Sequence, residues 1–195
     1  MIDLSGLGLD QIEETEEGFE IGSMVSLRKL ETHKRFQAWT RGAGADSLRH
    51  IVGTQFRNCA TVGGSIYGRF GFSDVLTLFL ALDAQVKLFK GGVLPLREFL
   101  DREEDGDILL SVLVKKGQAF AAYESMRNEA VDFPVLTAAV CLRDGQFTVS
   151  VGARPGKARA YSVPETELSG EADQRDEAVK ALTEKFTYGT NMRAS

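Results

Sequence analysis

The stretch from Arg57 to Asp74 constrains this chain more than any other. It reads Arg57-Asn58-Cys59-Ala60-Thr61-Val62-Gly63-Gly64-Ser65-Ile66-Tyr67-Gly68-Arg69-Phe70-Gly71-Phe72-Ser73-Asp74 and holds four of the 20 glycines. Helical patterns flank it. Leu48, Ile51, Val52 and Phe56 recur at helical spacing before it, and Val75-Leu76-Thr77-Leu78-Phe79-Leu80-Ala81-Leu82 follows it as an apolar run. Paired glycines permit positive φ and leave backbone N–H groups uncovered by side chains. Successive amides that point one way form an anion nest. Thr61 and Ser65 place hydroxyls on either side of that nest, and Asp74 stands where the apolar run begins. A carboxylate there can accept from sugar or ribityl hydroxyls, or cap the helix. On the residues alone two readings stay open: a loop that holds the phosphates of a nucleotide-type cofactor, and a turn whose glycines only let two elements pack closely.

The chain has 195 residues, enough for one ordinary domain or two small ones. Apolar residues make up 43% and charged residues 26%, which suits a globular protein. A net charge of −5 argues against a nucleic-acid footprint. No stretch approaches the roughly 20 apolar residues of a membrane span, and the first residues lack the basic and apolar regions of a signal peptide. Cys59 and Cys141 are isolated thiols that fit a reducing cytoplasm. They are too few for an iron–sulfur cluster, and His33 and His50 add no metal-ligand spacing, so no metal site is expected. No Ser–His–Asp or Cys–His pattern is present, so no side chain is expected to act as nucleophile or general base.

Met1 to Ser5 reads as a short strand ended by Gly6 and Gly8. A hairpin is expected around Glu17-Gly18. Ser26 is placed as the N-cap of a helix over 27–39, with His33 near its exposed side. Residues 41–46 read as a glycine-rich loop. A second helix is expected from Asp46 or Ser47 through Phe56, closed by a left-handed Asn58. Arg69 could meet a cofactor phosphate or a partner, or be an exposed turn residue. Tyr67, Phe70 and Phe72 could pack on a flat ring system or fill the core. Gln85 to Phe89 alternates as a half-buried strand, Lys90-Gly91-Gly92 is a turn, and Ile108 to Val114 is a buried strand. Beyond Lys115-Lys116-Gly117 the pattern changes. A strand over 119–127, an apolar run from Asp132 to Leu142, a hairpin at Asp144-Gly145, strands over 146–151 and 160–165 and a helix over 173–186 follow.

Arg57 to Ser65, then Ser73-Asp74, then Leu80-Ala81-Leu82-Asp83-Ala84 resemble the FAD-binding (medium) subunit of the molybdenum hydroxylases, the xanthine dehydrogenase and carbon monoxide dehydrogenase family. Val93-Leu94-Pro95-Leu96 and Asp132-Phe133-Pro134-Val135-Leu136, with Val151 to Gly156, extend the likeness over nearly the whole chain. The resemblance implies an α+β fold. Residues 1–115 would be the second lobe of a PCMH-like FAD-binding domain, a mixed sheet with helices. Residues 116–195 would be the flavoprotein C-terminal domain, an antiparallel sheet with helices. The implied cofactor is FAD. Thr61, Val62, Gly63, Gly64 and Ser65 would hold its phosphates, Asp74 a ribose or ribityl hydroxyl, and Leu109 would lie against the flavin; Ile51 is also placed in the cofactor site. The implied activity is that of an oxidoreductase subunit, inactive alone. It would pass electrons from an iron–sulfur partner to NAD or another acceptor, in the cytoplasm, while hydroxylation occurs on a separate subunit. The implied partners are a molybdopterin-binding large subunit, a 2Fe-2S small subunit and NAD, with no nucleic acid and no membrane.

Three departures stand out. No G-G-T-D-L-like loop precedes Met1, so part of the phosphate grip is absent and a separate chain is a candidate to supply it. Ser65 stands where the family usually has Asn. Glu124 occupies a segment where the family often has a lysine, and Arg127 is the nearest cation. The alternative is a truncated, flavin-free assembly or interaction module of the same family.

Overall fold

The computed structural model describes residues 3–154, 156–190 and 192. The start of the strand expected at 1–5 lies outside these, and residues 3–5 join no strand. The first half forms a five-stranded sheet. Its strands are β1 (Ile12–Glu14), β2 (Gly18–Gly22), β3 (Gln85–Leu88), β4 (Gly92–Pro95) and β5 (Leu109–Lys115), in the order β1-β2-β5-β3-β4. Hairpins make β1–β2 and β3–β4, and β5 joins them, with Phe19 opposite Val114 and Val86 opposite Val112. The expected mixed sheet is therefore antiparallel in every pairing. The second half forms a four-stranded sheet of β6 (Ala119–Met126), β7 (Leu136–Arg143), β8 (Gln146–Gly152) and β9 (Arg159–Pro164), in simple meander order. Alternating burial along these strands explains why they were readable as strands.

Seven helices belong to the first half: α1 (Leu27–Glu31), α2 (Lys34–Trp39), α3 (Ala43–Asp46), α4 (Thr54–Cys59), α5 (Val62–Tyr67), α6 (Asp74–Ala81) and α7 (Leu96–Asp101). The single helix expected over 27–39 is two. His33 Nδ1 accepts the Phe36 N–H at 3.3 Å and so caps α2, while its ring meets Phe19 edge-on at 6.2 Å. The helix expected from 47 to 56 is also interrupted. Val52 adopts a left-handed φ of 49° ahead of α4. Arg57 holds that bend by donating to the carbonyls of Ile51 and Val52, each at 3.2 Å. Arg57 is itself buried and bonded to Glu31 at 2.9 Å. Asn58 lies inside α4 rather than closing it, and Ala43 to Asp46 is a helical turn rather than a loop.

Every residue of α6 is buried, as expected for a mostly apolar helix, and its two polar residues, Asp74 and Thr77, are buried with the rest. Phe79 on α6 stacks on Phe36 at 6.2 Å, and Phe36 meets Phe19 of β2 at 5.4 Å, which ties α6 to the first sheet. On its other side α6 packs against β7, β8 and β9. The approach is close at Gly152. A Cβ there would stand 2.4 Å from Thr77 Oγ1 and 2.6 Å from Thr137 Oγ1, two hydroxyls bonded to each other at 2.8 Å. The four-stranded sheet is covered on its far face by α8 (Ala172–Thr183) and the residues just after it. There Leu182 and Phe186 bury Val149, Val151 and Val163.

Candidate functional site

The glycine pair does not form an open turn. Thr61 is the N-cap of α5, and its Oγ1 accepts the Gly64 N–H at 3.1 Å. The Val62 N–H donates to Val25 O at 2.9 Å, the Gly63 N–H to Ser23 O at 2.8 Å and the Ser65 N–H to Thr61 O at 3.1 Å. All four first-turn amides are thus bonded within the chain, and the expected nest of bare amides at Gly63 and Gly64 is absent. The two glycines have different reasons to be glycine. At Gly63 a Cβ would stand 2.6 Å from both Cβ and O of Ser23, so its role is close packing. Gly64 is exposed, and a Cβ there would meet only Thr61 Oγ1, at 3.2 Å.

Gly64 and Thr61 line two cavities at once. The larger, about 460 Å³, also takes in Ile51, Ser65, Asp74, Phe70, Phe72 and Phe133. The smaller, about 360 Å³, takes in Ser23, Met24, Gly63, Tyr67, Asp107 and Leu109. The residues picked out by sequence therefore gather around Gly64 but divide between the two. Val62 is the exception: it is fully buried, lines neither cavity, and has its amide bonded to Val25. Ser65 Oγ is engaged too, donating to Thr61 O at 3.0 Å. Phe70 stacks on Phe72 at 5.3 Å and Phe72 meets Phe133 at 4.4 Å, yet Phe70 is 52% and Phe133 53% exposed. These rings are a cavity wall, not core. Arg69 faces neither cavity and is not an exposed turn residue. It is buried with its guanidinium 4.3 Å from the Phe99 ring centroid and donates to Arg102 O at 2.5 Å.

Asp74 is the charged centre of the larger cavity. Ser73 caps α6, its Oγ accepting the Leu76 N–H at 3.2 Å, so the Asp74 carboxylate is not needed as a cap. Instead Tyr123 Oη and Arg127 Nη2 both donate to Asp74 Oδ1. The Asp74 and Arg127 side chains are 5% and 7% exposed, so this is a buried pair. Burial pushes the Asp74 carboxyl above its ordinary value, against the Tyr123 hydrogen bond and the Arg127 charge, which pull it down. Burial, then the Asp74 charge, pushes the Tyr123 hydroxyl up. Glu31 behaves oppositely. Burial raises it, but Arg57 and Arg28 together outweigh that and hold it below the usual value. Tyr123 and Arg127 were not recognisable as site residues, because they reach Asp74 from 49 and 53 positions away. The hints were that Tyr123 falls on the buried phase of an alternating strand and that Arg127 is the cation nearest Glu124. His50 Nδ1 lies 3.0 Å from Ala130 O, joining the first half to the β6–β7 connection that carries Phe133. Among the described residues no group of three or more His, Cys, Asp or Glu could hold a metal, and no helix is long and apolar enough to cross a membrane.

Residues 1–115 match the family model described as the FAD binding domain in molybdopterin dehydrogenase. The chain is 27% identical over 173 residues to the uncharacterized protein YgfM of Escherichia coli strain K12, covering 88% of this chain and 65% of that protein. It thus spans less than two thirds of that relative's length. Among solved structures, quinoline 2-oxidoreductase from Pseudomonas putida 86 superimposes with a TM-score of 0.80 at 18% identity, covering 96% of this chain and 71% of that one. Carbon monoxide dehydrogenase from Hydrogenophaga pseudoflava superimposes at 0.83 with 21% identity and the same coverage. Both share its fold. With more than half its length matched by the family model, the chain belongs to the FAD-binding domains of the molybdopterin dehydrogenases, and its cofactor is FAD.

Proposed function

We propose that this chain is the FAD-binding electron-transfer subunit of a molybdopterin-dependent dehydrogenase of the xanthine dehydrogenase type. One observation carries the reading: two ring-sized cavities share Thr61 and Gly64 in their walls. FAD is two ring systems joined by a diphosphate, and that shape suits such a pair. The larger cavity would hold the isoalloxazine between Ile51, Phe72 and Phe133, with Asp74 available to a ribityl hydroxyl. The smaller would hold the adenine, which moves Leu109 from the flavin to the other end. The diphosphate would cross at Gly64, close to the Thr61 hydroxyl that accepts the Gly64 N–H. When bound, FAD supplies the redox chemistry, and the protein supplies position and electrostatics. The aromatic wall keeps water from the ring, and the Arg127 cation, balanced by Asp74, sets the local charge. The chain carries no group of its own for hydroxylation. That work falls to a molybdopterin-binding large subunit, with a 2Fe-2S small subunit as electron donor and NAD or another acceptor. Two unpaired thiols suit the cytoplasm.

A second reading, a flavin-free assembly module, is favoured by the first-turn amides of α5, which are bonded inside the chain and leave the diphosphate a thin grip. Titration of the full chain with FAD, followed by flavin fluorescence, separates the two. Stoichiometric uptake supports the first. A protein that ignores FAD supports the second. Uptake only after mixing with another polypeptide supports a separate chain that completes the phosphate grip.

A further inference from the structure

Ser23 is a buried serine beside the glycine pair. The residue is 4% exposed and its Oγ has no hydrogen-bond partner among the described residues. Its backbone is fully engaged: the N–H donates to Leu110 O at 2.9 Å and the carbonyl accepts the Gly63 N–H at 2.8 Å. The missing Cβ of Gly63 is what lets α5 press this closely on Ser23. The hydroxyl is then the one mobile polar atom of the residue, turning about χ1 among staggered positions. Native folds leave few buried polar groups unsatisfied, and those few call for a reason.

Ser23 lines the smaller cavity beside Met24, Tyr67, Ile108 and Leu109. The remaining charged wall is Asp107. Its oxygens accept the amides of Lys90 and Gly91 at 3.0 and 2.7 Å and of Ile108 at 2.8 Å, so the carboxylate is fixed in place. Burial raises its pKa, but the amides of Lys90, Ile108 and Gly91 outweigh that and hold it below the ordinary value. A fixed negative charge repels phosphate and also disfavours a reduced, anionic flavin. An uncharged base with ring nitrogens meets no such penalty.

We infer that the Ser23 hydroxyl hydrogen-bonds a ring nitrogen of adenine in the smaller cavity and so adds to the grip on the adenosine end of the dinucleotide. This rests on the reading of the two cavities as one FAD site. The full chain is titrated with FAD, FMN and ADP, as wild type and as Ser23→Ala, and the thermal midpoint of each is recorded. ADP competes with FAD for the wild type. Ser23→Ala weakens FAD and ADP by about five- to tenfold, the size of one neutral hydrogen bond, and leaves FMN unchanged. Its thermal midpoint stays level or rises, because the serine hydroxyl bonds nothing among the described residues. Equal FAD and ADP affinity in the variant overturns the inference while leaving the FAD site intact. So does a loss confined to FMN. A clear drop in thermal midpoint overturns it as well, whatever the ligands do, since it reveals an internal partner. A wild type that takes up none of the three ligands removes the FAD reading itself.

Discussion

The two cavities that meet at Gly64 are built differently. The larger draws its wall from both halves of the chain, with Phe72 and Asp74 from one and Arg127 and Phe133 from the other. The smaller is made from the first half alone, by Ser23, Tyr67, Asp107 and Leu109 among others. The larger is held open by a buried ion pair and a tyrosine hydroxyl, the smaller by a glycine contact and apolar side chains. One cavity therefore depends on how the halves dock, and the other does not. A ligand that fills both senses the docking at only one end.

Arg127→Met tests that asymmetry most severely. Removing one partner of a buried pair leaves the other charge uncompensated, which costs about 3–5 kcal/mol. Urea unfolding should show that loss. ADP binding to whatever remains folded should be nearly unchanged, and loss of ADP binding in step with FMN would erase the distinction between the cavities. Gly64→Val acts on both ends together. A branched side chain at the crossing point should weaken FAD by about 100-fold or more, ~3 kcal/mol, and should weaken ADP too, whose diphosphate would lie there. A variant that folds and binds FAD as the parent does would show that nothing crosses there. Phe72→Ala should weaken FMN by about 0.5–1.5 kcal/mol through a lost ring contact and spare ADP, as calorimetry of both ligands would reveal.

The smallest effect is in pH. Asp74 has its carboxyl raised by burial, so its contribution to stability is full below the ordinary carboxylate range and is lost as pH rises through its folded value. Glu31, held low by Arg57 and Arg28, contributes fully above that range and loses the contribution as pH falls through its own folded value. Asp74→Asn should therefore remove a decline on the rising side, and Glu31→Gln a decline on the acid side. Unfolding free energies of both variants across the acid range check the signs, and a reversed pair of slopes refutes them.

Much of the strand pattern could be read from local alternation, and the Asp144-Gly145 hairpin from its turn residues, because both are decided by neighbours in sequence. The helices near the site were harder. His33 caps α2 while packed on Phe19, and Val52 turns left-handed under the hold of Arg57, so distant residues cut helices that periodicity alone would continue. The glycine pair does not make the open turn expected of it. Its amides were expected bare and are bonded, while Gly64 lines both cavities. Tyr123 and Ser23 carried no local signal and Arg127 stood out only as the cation nearest Glu124, since each matters for what the fold sets beside it.

Gly152 lets Thr77 of α6 reach Thr137 of β7, and that contact closes over a helix buried along its whole length. Released as a fragment ending near 115, the first half would bare the greasy flank of α6 and clump. The limit drawn by kinship would then not be one at which the polypeptide can be cut.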